Sequence, residues 1–108
     1  MKTNELTGAA LDWAVAKCEG VLMRWERSTH DEPPLEYSPS TDWALGGPII
    51  EREHISIEAT RVGGLGDRWM AEDTGHCTEF ADAPLIAAMR CYVASKLGDE
   101  IDIPEELI

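Results

Sequence analysis

The pattern of apolar and polar positions predicts a helix near each end of the chain. In both segments the apolar residues recur three and four positions apart, which is the spacing of one helix face. They are Leu11, Ala14, Val15 and Cys18 in the first segment and Leu85, Ile86, Met89, Tyr92, Val93 and Leu97 in the second. The first helix begins after Thr7, a suitable N-cap, and ends at Gly20. The second begins at Pro84, which suits the first helical position, and stops at Gly98.

Strict alternation of apolar and polar residues predicts a β-hairpin in the middle of the chain, with strands at about 55–62 and 67–72. The apolar positions are Ile55, Ile57 and Ala59 in the first strand and Trp69 and Ala71 in the second. The glycine-rich segment between the strands lacks the lysine of a phosphate-binding loop and the spacing of a dinucleotide motif. It therefore indicates a tight connection and not a nucleotide site.

A lone hairpin is marginally stable, so the sheet needs a third strand. Three sources are open: Val21–Arg27, which alternates but could also continue the first helix, Ile101–Ile103, or a partner chain. Ser28–Glu36 is predicted to be a loop because paired prolines exclude both helix and central strand, and Asp73–Ala83 is predicted to be a second loop.

Together these elements predict an α+β fold, in which a small antiparallel sheet packs with a helix near each end and with short helical turns between them. The length favours one domain over residues 1–98. Residues 99–108 are expected to form an acidic tail that is loose or lies along the sheet edge.

The segment Tyr37–Glu53 carries the densest set of local signals. Its serines and Thr41 are N-cap residue types, which favours a single helical turn from about Thr41 to Leu45. We expect Gly46-Gly47 to end that turn and Pro48 to start a second short helix.

This segment also contains the candidate binding residues Tyr37, Asp42 and Trp43. In one interpretation they form a rigid surface corner that presents aromatic rings to a partner. In the other, Tyr37 and Trp43 are core residues beneath a loop, as buried aromatics mostly are. Both interpretations are open at the level of the sequence.

The chain is strongly acidic, with 21 acids against nine bases and a formal net charge of −12. Such a field repels bare nucleic acid and so disfavours direct DNA or RNA binding. The charge provides solubility, or it forms an acidic face that docks on a basic partner. The opening MKTNELTG has no apolar signal-peptide core and no apolar run is long enough to span a bilayer, so we expect a cytoplasmic protein without a membrane partner.

We expect no metal, no cofactor and no catalytic residues. Cys18, Cys77 and Cys91 form no CxxC motif, and the adjacent His76 and Cys77 have no third ligand at a usual spacing. The serines of the middle segment are better explained as caps than as nucleophiles, and two carboxylates two residues apart on a helix make a poor acid–base pair.

Three blocks of the chain resemble the NinX-type family of tailed phages and prophages: TGAALDWAVAKCEG, YSPSTDWALGGPIIERE and PLIAAMRCYVASKLGDEIDIPEEL. The resemblance implies a phage accessory protein made in the bacterial cytoplasm, and it implies no activity. The layout is more loosely similar to small phage proteins with an α/β/α-sandwich domain and one continuous middle helix. Gly46-Gly47-Pro48 is expected to break that helix here.

These observations favour a non-enzymatic protein that binds a host or phage protein, and an acidic inhibitor of a host factor is one form of this function. The alternative is a small-ligand binder or an enzyme of unassigned chemistry. A homodimer is compatible with either function, because the sheet's third strand could come from a second copy.

Overall fold

The computed structural model describes residues 2–20, 37–61, 67–75 and 77–103, and it confirms the α+β fold. In chain order, the elements are a 3-10 turn at Thr3–Glu5, helix α1 at Gly8–Glu19, helix α2 at Trp43–Glu53, strands β1 at Ser56–Arg61, β2 at Asp67–Glu72 and β3 at Thr78–Ala81, and helix α3 at Pro84–Leu97. Both terminal helices follow the predicted bounds. Gly20 ends α1 in the left-handed conformation, as the sequence indicates.

Helix α3 is the centre of the fold. It contacts all three strands, α1, α2 and the 3-10 turn. The predicted core positions Leu85, Met89 and Val93 are buried, whereas Ile86 is only partly buried. Alanines off the predicted face are buried as well, so α3 is covered on more sides than its apolar stripe suggests. A small side chain there lets neighbouring elements approach the helix closely.

The sheet is an antiparallel meander with the order β1-β2-β3. Ala71 of β2 is fully buried and pairs with Ile57 on β1 and with Glu79 on β3. The third strand is Thr78–Ala81, so the prediction that Asp73–Ala83 is entirely loop is wrong. The alternation that signals a strand is absent there, because each face of the strand carries one polar and one apolar residue: Thr78 with Phe80, and Glu79 with Ala81.

The β2–β3 turn is built by the side chain of Asp73. Its Oδ1 accepts the backbone N–H groups of Gly75 at 3.0 Å and Cys77 at 2.8 Å, and the Asp73 N–H donates to the Cys77 carbonyl at 3.1 Å. An aspartate that bonds its own following backbone is a turn-forming device. None of the three predicted sources is this strand: 101–103 is outside the sheet, and a strand from a partner chain stays a prediction. Val21–Arg27 lies outside the described residues, as does the predicted loop 28–36.

Helix α2 is continuous from Trp43 to Glu53, so the predicted break at Gly46-Gly47-Pro48 is wrong. Gly46 is needed for close packing: a Cβ there would lie 2.6 Å from both the Pro39 carbonyl oxygen and Leu85 Cδ1. Pro48 stays inside the helix although it lacks the N–H that would bond Ala44. Ala44 lies in the first turn of the helix and is itself exposed.

The two ends of the described chain are joined to each other. The N–H and the side-chain hydroxyl of buried Thr3 donate to the carbonyls of Asp99 and Gly98, both at 2.7 Å, and Lys2 pairs with Glu100 in an antiparallel bridge. The start of the expected tail is thus attached to the N-terminal segment, and residues 104–108 lie outside the described part.

Arg90 of α3 adds an attachment that sequence reasoning missed. Its nearly buried guanidinium donates to the carbonyls of Leu6 and Phe80, each at 2.8 Å, and its burial lowers the pKa of the group.

Within the described ranges, no helix has both the length and the apolar character that crossing a bilayer requires.

Candidate functional site

A turn immediately before α2 forms the corner that carries the candidate binding residues. The N–H groups of Thr41 and Asp42 both donate to the Ser38 carbonyl, at 3.1 and 2.9 Å. Pro39 and Ser40, the central residues of this turn, are buried. These contacts define a corner from Tyr37 to Trp43 whose backbone is held from inside.

Helix α1 anchors the corner through Asp12. The Asp12 carboxylate is largely buried and accepts the Ser40 backbone N–H at 2.9 Å. Burial raises the pKa of Asp12, and the hydrogen bond from the Ser40 N–H opposes that rise. This contact joins positions 28 residues apart, so the chain spacing contains no signal for it.

The structure places the three candidate residues in two different environments. Asp42 is exposed and caps α2, accepting the Ala44 N–H at 2.9 Å. Trp43 begins the helix and is 53% exposed, whereas Tyr37 is half-buried against the core. Burial raises the pKa of the Tyr37 phenol. Asp42 and Trp43 therefore share the surface corner, and Tyr37 lies at its inner edge.

The cap assignments from the sequence need one correction. Ser38, Ser40 and Thr41 were the expected N-cap types, but the residue that caps α2 is Asp42. Ser38 contributes its backbone carbonyl to the turn, and Ser40 is buried. Aspartate is as good an N-cap as serine, and its position directly before Trp43 sets the exposed start of the helix.

The opposite end of α2 carries an ionic network that no sequence motif indicated. Arg52 donates from Nη1 and Nη2 to the two carboxylate oxygens of Glu19, at 3.0 and 2.6 Å, and from Nε to Glu53 at 2.9 Å. The Tyr92 hydroxyl also donates to Glu19, and Lys96 pairs with Glu53 at 3.2 Å. This network joins the C-terminal ends of α1 and α2 to α3.

The pKa shifts of Glu19 and Tyr92 fit a structural role for this network. The hydrogen bonds from Arg52 lower the pKa of Glu19, with the Tyr92 bond acting in the same direction. Burial, followed by the bond to Glu19, raises the pKa of Tyr92. Near neutral pH the carboxylate therefore stays ionised and the phenol stays protonated, which is the opposite of a pair tuned for proton transfer.

A polar cleft of about 560 Å³ lies beside the edge strand β3, and its lining is Lys2, Asn4, Thr78, Glu79, Phe80, Asp99 and Glu100. Burial raises the pKa of Glu79, although the charge of Arg90 opposes the rise. Neither Asp42 nor His54 lines this cleft. His54 is exposed and ends α2 in the left-handed conformation, with φ 56°.

Two cysteines that are far apart in sequence meet near the β2–β3 turn. The ligand-type atoms of Asp73, Cys77 and Cys91 all lie within 4.8 Å of one another. The buried Cys91 thiol donates to the Cys77 carbonyl at 3.2 Å, and burial raises its pKa to about 12. His76 lies outside the described residues.

Comparison with known proteins identifies the family. The family model described as bacteriophage P22 NinX matches residues 2–96, a span that includes α1, α2, all three strands, the corner and all but the last residue of α3. No curated protein matches the chain. The expected family resemblance is confirmed: this chain belongs to the NinX family of phage proteins.

Proposed function

We propose that the protein acts without catalysis, by binding another protein through the corner that carries Asp42 and Trp43. The observation that supports this proposal most is the 53% exposure of Trp43 at the first position of a helix. Tryptophan is among the residues most enriched at binding hot spots, because it buries a large area with few rotatable bonds.

The rigidity of the corner favours binding. Its backbone is held by the bonds to the Ser38 carbonyl, by the Asp12–Ser40 hydrogen bond and by the close approach of Gly46 to Pro39. A surface that is already ordered loses less conformational entropy when it binds. Trp43 can therefore present its ring to a partner without any refolding of the turn.

The charge of the chain favours a basic partner. The net charge is −12, and Asp42 places a carboxylate beside the tryptophan. Complementary charge accelerates association and disfavours acidic partners. We therefore propose a host or phage protein with a basic surface, encountered in the bacterial cytoplasm. An inhibitor that occupies the nucleic-acid channel of a host factor is a specific form of this function.

Affinity capture from phage-infected cells tests the proposal. Tagged wild-type protein is compared with Trp43→Ala, and with Phe80→Ala as a matched control at the other exposed aromatic residue of the described ranges. We expect a captured protein to be retained by wild type and by Phe80→Ala and lost with Trp43→Ala. Equal capture by all three proteins would show that Trp43 and its corner are not part of the binding surface.

The cleft beside β3 favours a second candidate function, the binding of a small polar ligand. Its volume of about 560 Å³ lies in the range of small-molecule sites, and it contains both acidic groups and Lys2. A thermal-shift screen of small cations, amino acids and nucleotides would test it. A ligand that raises the melting temperature of wild type but not of Glu79→Gln would support this alternative.

A further inference from the structure

We propose that Asp73, Cys77 and Cys91 form a binding site for a thiophilic divalent cation, with Zn²⁺ as the natural representative. The spacing of the cysteines along the chain predicts no such site, so the proposal rests on the folded geometry alone. The site is independent of the corner and of the protein-binding function proposed above.

The three ligands come from three different parts of the fold. Asp73 follows β2, Cys77 precedes β3, and Cys91 lies within α3, yet their ligand atoms are all within 4.8 Å of one another. Around a tetrahedral zinc with bonds of about 2.0–2.3 Å, ligand atoms lie about 3.3–3.8 Å apart. Since the atoms are within 4.8 Å already, a closure of at most about 1–1.5 Å brings them to this separation.

The carboxylate of Asp73 is already oriented. Its Oδ1 accepts the N–H groups of Gly75 and Cys77, at 3.0 and 2.8 Å. Hydrogen bonds of this kind hold a metal-ligating carboxylate in position and strengthen the site. An ion bound by this carboxylate would therefore meet a side chain whose position is already fixed by the turn.

The surrounding charge favours a cation. The charged groups that act on Cys77 are the acids Asp73, Glu79 and Asp99. The carboxylates of Asp73 and Glu79 also act on Cys91. Binding would replace the two thiol protons, which pass to the solvent, and would exchange the Cys91–Cys77 carbonyl hydrogen bond for a metal–sulfur bond.

Three protein ligands leave the fourth position of a tetrahedral ion to water. The bound ion would fasten the β2–β3 turn to α3, the helix at the centre of the fold. Because the ion would bind the folded chain better than the unfolded one, it should raise the melting temperature.

Cobalt substitution tests the site directly, because Co²⁺ bound to thiolates shows an intense charge-transfer absorption. Reduced protein is titrated with Co²⁺ and then with Zn²⁺, and the same proteins are melted with and without Zn²⁺. The variants are Cys77→Ser, Asp73→Asn, which keeps an oxygen acceptor for the turn, and Cys18→Ser as the matched control outside the cluster.

We expect wild type and Cys18→Ser to bind one Co²⁺ with a thiolate band that Zn²⁺ displaces, and to melt at a higher temperature with Zn²⁺. Cys77→Ser and Asp73→Asn should lose both responses while keeping the wild-type circular dichroism spectrum. Absence of the band in wild type, or an undiminished band in either cluster variant, would overturn the proposal. If Cys77→Ser does not fold, Asp73→Asn decides the matter.

Discussion

Helix α2 is held at its N-terminal end by backbone hydrogen bonds and close packing, and at its C-terminal end by charged side chains. At the first end, Asp42 caps the helix and Gly46 lies against Pro39 and Leu85. None of these contacts uses the ring of Trp43, which is 53% exposed. At the second end, Arg52 lies among carboxylates and a tyrosine hydroxyl supplied by α1, α2 and α3.

The difference indicates where a partner could add something. The ionic network is satisfied within the molecule, because the carboxylates of Glu19 and Glu53 both have cationic partners. The corner instead leaves a large aromatic surface in water on a backbone that is already fixed. A tryptophan that is 53% exposed is a better candidate for recognition than an ion pair at the surface, which contributes little energy.

Both ends of α2 rest on α3, with Leu85 beneath the N-terminal end and Tyr92 beneath the C-terminal end. Met89 lies between them and is fully buried. We expect Met89→Asp to lower the free energy of unfolding by about 3 kcal/mol or more, because it buries an unpaired charge. Chemical denaturation measures this loss. A variant that melts within a degree or two of wild type would contradict the core position of Met89 in the helix on which both ends of α2 rest.

The paired glycines separate packing from helix propensity at the N-terminal end. Gly46→Ala should cost about 1–3 kcal/mol, because its Cβ would meet the Pro39 carbonyl and Leu85 at 2.6 Å. A Cβ on Gly47 meets nothing within 4 Å, so Gly47→Ala should be neutral or stabilise by up to about 1 kcal/mol. Denaturant titration of both variants checks this, and equal effects would mean that the close packing at Gly46 is wrong.

The middle helix shows why part of the fold could not be predicted. Periodicity correctly indicated α1, α3 and the β1–β2 hairpin, because their patterns are local. Gly46 and Pro48 also carry a local signal, a helix break, but the contact of Gly46 with Leu85, 39 positions away, overrides it. Strand β3 was missed because its partner β2, and not its own alternation, defines it.

The candidate sites also divide into one with a local sequence signal and others formed by residues that are distant in the sequence. Trp43 was recognisable from sequence because an aromatic beside cap and glycine signals is a local pattern. The Glu19–Arg52 pair and the Cys77–Cys91 pair span 33 and 14 positions, and no motif connects their members. Only the packing of α1, α2 and the β2–β3 turn around α3 brings these side chains together.

The ionic network should make the C-terminal end of α2 sensitive to acid. Because the pKa of Glu19 is lower in the folded chain, its stabilisation is present above the unfolded value of 4.5 and is lost as pH falls through the folded value. Glu19→Gln should therefore cost about 1 kcal/mol at pH 7, with a smaller difference from wild type below pH 4.5. Unfolding measured across this range checks the prediction.

Asp12 provides a control, because its pKa shift on folding is opposite in sign to that of Glu19. Its folded pKa is raised by burial, so ionisation above the unfolded value opposes folding and acidification relieves that cost. Asp12→Asn retains an oxygen acceptor for the Ser40 N–H and should not show the acid-dependent loss assigned to Glu19. Identical pH profiles for wild type and Glu19→Gln would show that the network does not stabilise the fold.

The free energy of unfolding of Trp43→Ala is the most direct test of the proposed binding role of Trp43. It is also the smallest effect on stability that we expect. If Trp43 is a surface anchor that the fold does not need, the variant should unfold within about 1 kcal/mol of wild type. A loss of about 3–5 kcal/mol, typical of a buried tryptophan cut to alanine, would show that Trp43 holds the corner to the core and would contradict its role in binding.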